Sequence, residues 1–424
     1  HTWLRRQRQM CIRDSPNSAL KYALLFGDGT FNNKALGTFD VPTFQSAETL
    51  ETLETFVSDD FFGFLDDSEG ENIASTTNKL DIAIGRIPAN STSDANIAVE
   101  KIKRYYSEAT YGNWRSIGTY IADDEDYNLH FTHAEENANN FIEDVPKMNI
   151  VKVYLDAYRQ AAGSGGGFYP DVNEAIDKLF FKGSLFFNYI GHGGINGLAE
   201  ERIVRLEDID AYDNYYKMPL FISATCEFTR YDDFENFSAG ERLFFKKDGG
   251  AIALVTTVRL VFASKNRLMN LEFMKAMKDG IADRSLTLGD ITKIAKNNTL
   301  TGSGNRKFTL IGDPALKLAF PNYNVVSTKI NENDFTSTTD TLKALTKVTI
   351  EGEVRDASNQ LLTNFNGLVY PTVYDKVRTL STLANDEESS EAPFKLQNNI
   401  IYAGKVQAIG GKFSYTFVVP KDII

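Results

Sequence analysis

The sequence is poor in cysteine, with Cys11 and Cys226 as its two thiols in 424 residues. Two cysteines exclude the dense disulfide framework of small secreted domains. Apolar runs are short as well, and none reaches the roughly 18 residues that a membrane-spanning helix needs. Basic residues number 45 against 57 acidic ones, which gives a net charge of -12. This acidic balance argues against a nucleic-acid surface, whose footprint would be basic.

Two short apolar runs within residues 183–230 each lead to a reactive side chain. Residues 185–190 precede His192, and residues 220–224 precede Cys226. Carboxyl ends of neighbouring parallel strands open onto a common crevice, so we expect the two side chains to meet there. An adjacent imidazole can take the proton of a thiol and so produce the reactive thiolate. The alternative is a small buried cysteine that serves packing alone.

Glycines surround the histidine at positions 191, 193 and 194. They leave the backbone beside His192 uncovered by side chains. The amides of Gly193 and Cys226 are therefore candidates for an oxyanion hole that holds the tetrahedral intermediate. The alternative is that these glycines only form a turn.

Five sequence segments carry a resemblance to a known family. They are residues 189–194 (YIGHGG), 223–228 (SATCEF), 81–88 (DIAIGRIP), 120–126 (YIADDED) and 310–318 (LIGDPALKL). Together they resemble the gingipain-type cysteine peptidases, family C25 of the caspase-like clan, over about residues 20–424. The resemblance implies a peptidase with Cys226 as nucleophile and His192 as proton donor. It also implies an exported protein, of which this chain would be an internal fragment.

A run of acids follows the strand predicted over residues 114–122. A carboxylate bonded to one ring nitrogen would fix the tautomer of the catalytic imidazole. By resemblance to gingipains, which take an acid from this strand end, the third catalytic residue is Asp124 or Asp123, and the choice stays open.

Metal sites have weaker support in the sequence. His130 and His133 lie three residues apart on a helix predicted over residues 130–145, a spacing that suits zinc but is more typical of surface or capping histidines. Asp59 and Asp60, with Asp66 and Asp67, suit either a solvated face or a calcium ion, which needs several converging oxygens. Thiol chemistry itself requires no cofactor.

Acids also follow the candidate nucleophile. If they line a pocket, Glu227, Asp232 and Asp233 would bind a basic or polar substrate residue; otherwise they form a solvated loop. Residues 230–233 and 413–424 resemble the sortase branch of the family, which removes carboxy-terminal signals in type IX secretion. That branch implies signal-bearing protein substrates, outer-membrane secretion partners, an amine of lipopolysaccharide as acceptor, and a cell-surface location.

Alternating strand and helix patterns predict an α/β fold of caspase-like type. We expect a non-native lead-in over residues 1–16, a first subunit over 17–110 and a catalytic subunit over 111–320, with mainly parallel sheets flanked by helices. Period-two alternation over residues 321–424 predicts an incomplete immunoglobulin-like β domain. Its acid- and serine-rich residues 383–392 are predicted to be a disordered insertion.

The sequence thus favours a cysteine endopeptidase of the sortase kind, acting through a thioester. A broad gingipain-like endopeptidase is the alternative within enzymes. A non-catalytic surface scaffold is the alternative from another class.

Overall fold

The computed structural model describes residues 20–32, 37, 40–47, 51–66, 69, 72–163, 166–335 and 341–423. The predicted lead-in over residues 1–16, with Cys11, lies outside these ranges. The chain divides into two compact units. The first extends through Ala319 and includes Ser381–Ala392, and the second comprises Phe320–Leu380 and Pro393–Ile424.

A mainly parallel sheet forms the centre of the first unit. Its eight described strands are β1 Tyr22–Phe26, β2 Ala83–Ile87, β3 Ile117–Ala122, β4 Asn149–Tyr154, β5 Phe186–Ile190, β6 Leu220–Ala224, β7 Ala253–Thr257 and β8 Phe308–Ile311. Their order across the sheet is β1-β2-β8-β7-β6-β5-β3-β4. Neighbouring strands are parallel except β7 and β8, which are antiparallel. The two predicted α/β subunits share this sheet, because β1 and β2 join the others through β8.

Helices cover both faces of the sheet, as predicted. The helices are α1 Thr92–Tyr105, α2 Leu129–Asp144, α3 Pro170–Lys182, α4 Leu206–Ala211, α5 Ala239–Phe245, α6 Ala263–Ala282, α7 Leu288–Asn298 and α8 Ser303–Arg306. Short 3-10 turns occupy Asp59–Gly63, Glu108–Thr110, Asn113–Ser116 and Leu155–Ala157. None of the helices in the described ranges is long and apolar enough to cross a membrane.

Strand β5 shows why both faces need cover. Phe186 meets Phe141 of α2 edge to face at 5.4 Å, whereas Phe187 stacks on Phe180 of α3 at 4.4 Å. Successive side chains of a strand point to opposite faces, so α2 and α3 pack on opposite sides of the sheet. Every residue of β5 and β6 is buried. Continuous apolar runs of this kind are typical of parallel strands covered on both faces.

Among the described residues of the first unit, three two-stranded ribbons lie outside the central sheet. They pair Phe44–Gln45 with Val57–Ser58, Ala161–Gly163 with Gly166–Phe168, and Gly193–Gly194 with Gly197–Leu198.

The second unit consists of antiparallel strands. They are β9 Asn324–Ile330, β10 Asn333–Asp334, β11 Lys347–Arg355, β12 Gly367–Val369, β13 Thr372–Tyr374, β14 Arg378–Ser381, β15 Pro393–Leu396, β16 Ile400–Ala403, β17 Val406–Ala408 and β18 Lys412–Val418. One sheet has the order β10-β9-β11-β18, and the pairs β12-β17, β13-β16 and β14-β15 form ribbons. Buried and less buried residues alternate along β11, which confirms its predicted period of two. The immunoglobulin-like assignment stays a prediction.

The segment between β14 and β15 corrects the prediction of a disordered insertion. Ser381–Ala392 belongs to the first unit, where it binds Asp156 at the end of β4. Asp156 accepts hydrogen bonds from the Ala384 amide at 3.1 Å and the Asn385 amide at 2.8 Å. A segment rich in acids and serines is disordered only where its polar groups find no hydrogen-bond partners. Here the buried Asp156 carboxylate is the partner of two backbone amides of the segment.

Candidate active site

Two adjacent strands deliver the predicted nucleophile and base to one edge of the sheet. Strands β5 and β6 run parallel, with Ile190 opposite Ala224 in the register. His192 and Cys226 each follow these paired residues by two positions. Neighbouring strands lie about 4.8 Å apart, so the two residues leave the sheet side by side.

Close backbone contacts require the two glycines that flank His192. A Cβ atom on Gly191 would lie 2.3 Å from Asp123 Cβ, and one on Gly193 would lie 2.6 Å from Thr225 Oγ1. Real Cβ atoms essentially never come within 3.0 Å of such atoms. The histidine loop therefore packs directly against the ends of β3 and β6, which the glycines permit.

The Gly193 amide is directed away from its partner strand. The His192 carbonyl accepts a hydrogen bond from Ala199 N at 3.0 Å, while Leu198 N donates to Ile203 O at 3.0 Å. Bonded and non-bonded pairs alternate in antiparallel ribbons, so Gly193 and Leu198 form a non-bonded pair. Such an orientation suits an amide that must donate to a substrate oxyanion.

The Cys226 thiol is half-buried and in contact with the loop before α6. Its Sγ accepts from Val261 N at 3.5 Å and donates to Val261 O at 3.7 Å. Burial raises the pKa of the Cys226 thiol above its usual value. The neutral thiol is therefore the ground state, and forming the thiolate requires a base.

Asp126 lies between two imidazoles. Its Oδ2 is 3.3 Å from His192 Nε2 and 3.3 Å from His130 Nε2. The two rings meet edge to face at 5.0 Å. Burial, and next the His192 charge, lower the pKa of His130 to about 4, so His130 is neutral near pH 7. This places His130 in the site, whereas its sequence spacing favours a surface or capping role.

The prediction of Asp124 or Asp123 as the residue that orients the imidazole is corrected by this geometry. Asp123 Oδ2 accepts from the His192 backbone amide at 2.7 Å, and the Asp124 carboxylate accepts from the Tyr169 hydroxyl. Three consecutive residues with left-handed backbone, at φ of 59°, 55° and 62°, begin at Asp126 and turn the chain. Asp126 thus reaches the ring, while the two earlier acids stay buried. Helical i, i+4 spacing does not explain the contact with His130, because Asp126 precedes α2 and its backbone is left-handed.

The acidic side chains that follow Cys226 form ion pairs with arginines. Asp232 is fully buried and bonded to Arg259 Nη1 at 2.8 Å, which corrects its predicted role in substrate binding. Glu227 and Asp233 lie 3.5 Å and 3.7 Å from atoms of Arg230. A basic substrate residue would have to compete with this arginine.

Asp59 and Asp60, which the sequence assigns to either a solvated face or a calcium ion, both have basic partners. Asp59 forms an ion pair with Arg86 at 2.7 Å, and Asp60 pairs with Lys296 at 2.7 Å. These cations already neutralise the two carboxylates. Asp67 lies outside the described residues.

A second group of acids lies behind the His192 loop. Asp123, Asp124, Glu125 and Glu201 offer carboxylate oxygens that all lie within 4.8 Å of one another. Burial is the main cause that raises the pKa of Asp124 to about 8 and that of Glu201 to about 7. Neighbouring carboxylates raise both values further. Ligand atoms of His192, His130 and Asp126 likewise lie within 4.8 Å of one another.

Comparison with known proteins bears on the chemistry of this site. A model of peptidase family C25 matches residues 2–319. A search of curated proteins finds no match. Among solved structures, the Arg-specific cysteine proteinase gingipain R (RgpB) is 16% identical with a TM-score of 0.59, over 99% of this chain and 82% of that chain.

Two further structures come from Porphyromonas gingivalis. The complex of RgpB pro- and mature domains is 15% identical with a TM-score of 0.58, over 99% of this chain and 84% of that chain. Dimeric latent PorU is 23% identical with a TM-score of 0.37, over 99% of this chain and 35% of that chain. The RgpB structures show that this chain shares their fold.

Proposed function

The chain belongs to peptidase family C25 and is a cysteine-type peptidase, and we propose that Cys226 and His192 form its catalytic dyad. One observation carries this assignment. The strand register sets Ile190 opposite Ala224, so the imidazole and the thiol follow neighbouring strand ends at equal distances along the chain. Their adjacency thus arises from the backbone of the central sheet.

The arrangement suits acyl transfer. Because the Asp126 carboxylate contacts Nε2 of His192, the other ring nitrogen, Nδ1, accepts the proton of the Cys226 thiol. The thiolate attacks the scissile carbonyl, and the amides of Gly193 and Cys226 stabilise the oxyanion. The imidazolium then protonates the leaving amine. Water or an amine resolves the thioester, which distinguishes hydrolysis from transpeptidation.

Alkylation of the thiol tests the dyad. Iodoacetamide labelling of Cys226 across pH, in the parent and in His192→Ala, should show faster labelling in the parent near pH 7. Cys11→Ala separates the signals of the two thiols, and His133→Ala controls for loss of a nearby histidine. Equal labelling rates in the parent and His192→Ala would contradict the dyad and favour the scaffold alternative.

For the substrate, we propose cargo that carries a carboxy-terminal secretion signal, which the enzyme removes at the cell surface. Support comes from the sortase-like sequences at residues 230–233 and 413–424. A second support is the pairing of Asp232 and Asp233 with arginines. This pairing weakens the case for an acidic pocket that recognises a basic substrate residue. Outer-membrane secretion proteins would present the cargo, and an amine of lipopolysaccharide would accept the acyl group.

Two substrates separate the proposal from a gingipain-like peptidase. Purified enzyme is given a cargo protein with its signal domain and, separately, a fluorogenic peptide with a single arginine. We expect the cargo to be cut at the signal junction and the peptide to be cut at least tenfold more slowly, with Cys226→Ala inactive on both. Mass spectrometry with an added amine detects transpeptidation. Preferential cleavage of the arginine peptide would instead support the broad endopeptidase.

A further inference from the structure

A left-handed turn over residues 126–128 connects β3 to α2. None of its three residues is a glycine, yet all have positive φ. This backbone costs free energy for residues with a side chain, and it persists only where surrounding contacts hold it. The turn brings Asp126 Oδ2 to 3.3 Å from His192 Nε2. The contacts that hold the turn therefore also set the position of this acid.

A distant part of the chain contacts the turn on both sides of that acid. It is the segment Ser381–Ala392 of the first unit, which we call the strap. Ser389 Oγ donates to the Asp124 carbonyl at 3.2 Å, and the Tyr127 hydroxyl donates to Glu388 Oε1 at 3.1 Å. The strap thus bonds to residues two positions before the acid and one position after it.

The strongest contact between turn and strap is made by Asn128. This residue is the N-cap of α2, where an asparagine side chain ordinarily accepts from a backbone amide of the first turn. Its side chain makes no such bond in the described part of the chain. Instead, Oδ1 accepts from Ser390 N at 2.7 Å and Nδ2 donates to Ser390 O at 2.9 Å. Two bonds to the backbone of one residue fix both the position and the orientation of the side chain.

The strap is itself braced beside this contact. Thr382, which is 1% exposed, donates from Oγ1 to Ser390 O at 3.2 Å and accepts there from Ala392 N at 2.9 Å. The backbone amide of Thr382 also donates to Ala392 O at 3.0 Å. Together with the bonds to Asp156 at the end of β4, these contacts make the strap a fixed support for the turn.

We propose that Asn128 is a positioning residue: held by the strap, it keeps the left-handed turn in the conformation that directs Asp126 to His192. This role rests on the proposed dyad. The Asp126 carboxylate stabilises the imidazolium that forms when His192 takes the thiol proton. Loss of the bonds between Asn128 and the strap would let the carboxylate move away, and less of the Cys226 thiol would then be present as thiolate.

A double-mutant cycle tests whether Asn128 acts through Asp126. The full chain carries Cys11→Ala, and the rate of Cys226 labelling by iodoacetamide is measured near pH 7. Asn128→Gly permits the left-handed backbone but removes the bonds to Ser390. We expect Asp126→Asn to slow labelling roughly tenfold and Asn128→Gly roughly threefold, because the second change displaces a carboxylate that the first removes. In the Asp126→Asn background, Asn128→Gly should change the rate by less than about 1.5-fold, whereas the effects of independent residues multiply.

A second variant approaches the turn from the strap. Thr382→Val removes the bracing hydroxyl without touching the turn, so it should slow labelling in the parent and leave the Asp126→Asn rate unchanged. Glu387→Ala alters an exposed strap side chain and should label at the parent rate. Circular dichroism of every variant sets a temperature at which all are folded, so that the rates describe the site.

The pattern of rates separates this proposal from the dyad. A parent-like rate in Asn128→Gly or in Asp126→Asn would overturn the role of Asn128, and so would equal slowing by Asn128→Gly in both backgrounds, which indicates a merely structural residue. If His192→Ala remains slow in any of these cases, the dyad stands. If His192→Ala labels as fast as the parent, both the dyad and the positioning role are wrong.

Discussion

At Gly193, one added carbon would disturb the proposed oxyanion hole directly. In Gly193→Ala the new Cβ would lie 2.6 Å from Thr225 Oγ1, so the oxyanion amide must move or the end of β6 must shift. We expect kcat/KM to fall roughly 10- to 100-fold, in line with the loss or displacement of one oxyanion donor. Steady-state kinetics and thermal unfolding of the same samples would separate catalytic from folding effects.

The neighbouring glycine supplies the control. A Cβ on Gly194 meets nothing within 4 Å, so Gly194→Ala should keep activity near the parent level. Adding Thr225→Ala to Gly193→Ala removes the clashing oxygen and should restore part of the lost activity. A loss in Gly194→Ala as large as in Gly193→Ala would show that the contact with Thr225 is not the cause.

For individual residues, the sequence predicts His192 and Cys226 as site residues but does not predict Asp126, the acid between the two histidines. Both predicted residues end apolar runs, and this pattern is visible without a structure. Asp126 shares a run of four acids with Asp123 and Asp124, and only the left-handed backbone after it decides which carboxylate turns to the ring. Backbone dihedral angles of a loop depend on tertiary contacts that residue order does not reveal.

Among the elements, helix α5 carries a buried acid in its capping box. Glu241 Oε2 accepts from Ser238 N at 3.0 Å, and the side chain is 3% exposed. Burial raises the pKa of Glu241 to about 8. Between pH of about 4.5 and 8 the folded chain keeps a proton that the unfolded chain releases, so stability falls as pH rises, by roughly 1.4 kcal/mol per pH unit for this group.

Urea unfolding between pH 5 and pH 8 checks this expectation. Glu241→Gln should flatten the decline of unfolding free energy with pH, because its amide cannot titrate. Glu207→Gln, an exposed acid in the first turn of α4, is the control and should keep the slope of the parent. Parallel slopes in Glu241→Gln and the parent would contradict the prediction.

Element bounds were easier to predict than element neighbours. The strand predicted over residues 220–224 is β6, and the helix predicted over residues 130–145 is α2 at Leu129–Asp144. Both follow from local periodicity. The reversal of direction between β7 and β8 depends on pairing between distant segments, which local periodicity does not encode.

On the scale of the whole molecule, the first unit extends beyond the family match. The match ends at residue 319, yet Ser381–Ala392 belongs to the same compact unit. Asn385 Nδ2 donates to Asp156 Oδ1 at 2.9 Å and to Tyr158 O at 2.9 Å, across more than 200 residues of sequence. Contacts of such separation explain why composition alone predicted disorder for this segment.

Removing the Asn385 side chain tests how firmly this distant segment is held. Asp156 is 3% exposed, so Asn385→Ala would leave its buried carboxylate short of one donor and Tyr158 O without this bond. We expect the free energy of unfolding to fall by about 2 kcal/mol and protease cleavage within residues 383–391 to accelerate. Glu387→Ala, which changes an exposed neighbour, is the control and should match the parent in stability and in resistance to protease. If Asn385→Ala is as stable and as protease-resistant as Glu387→Ala, the segment does not stabilise the first unit through Asp156.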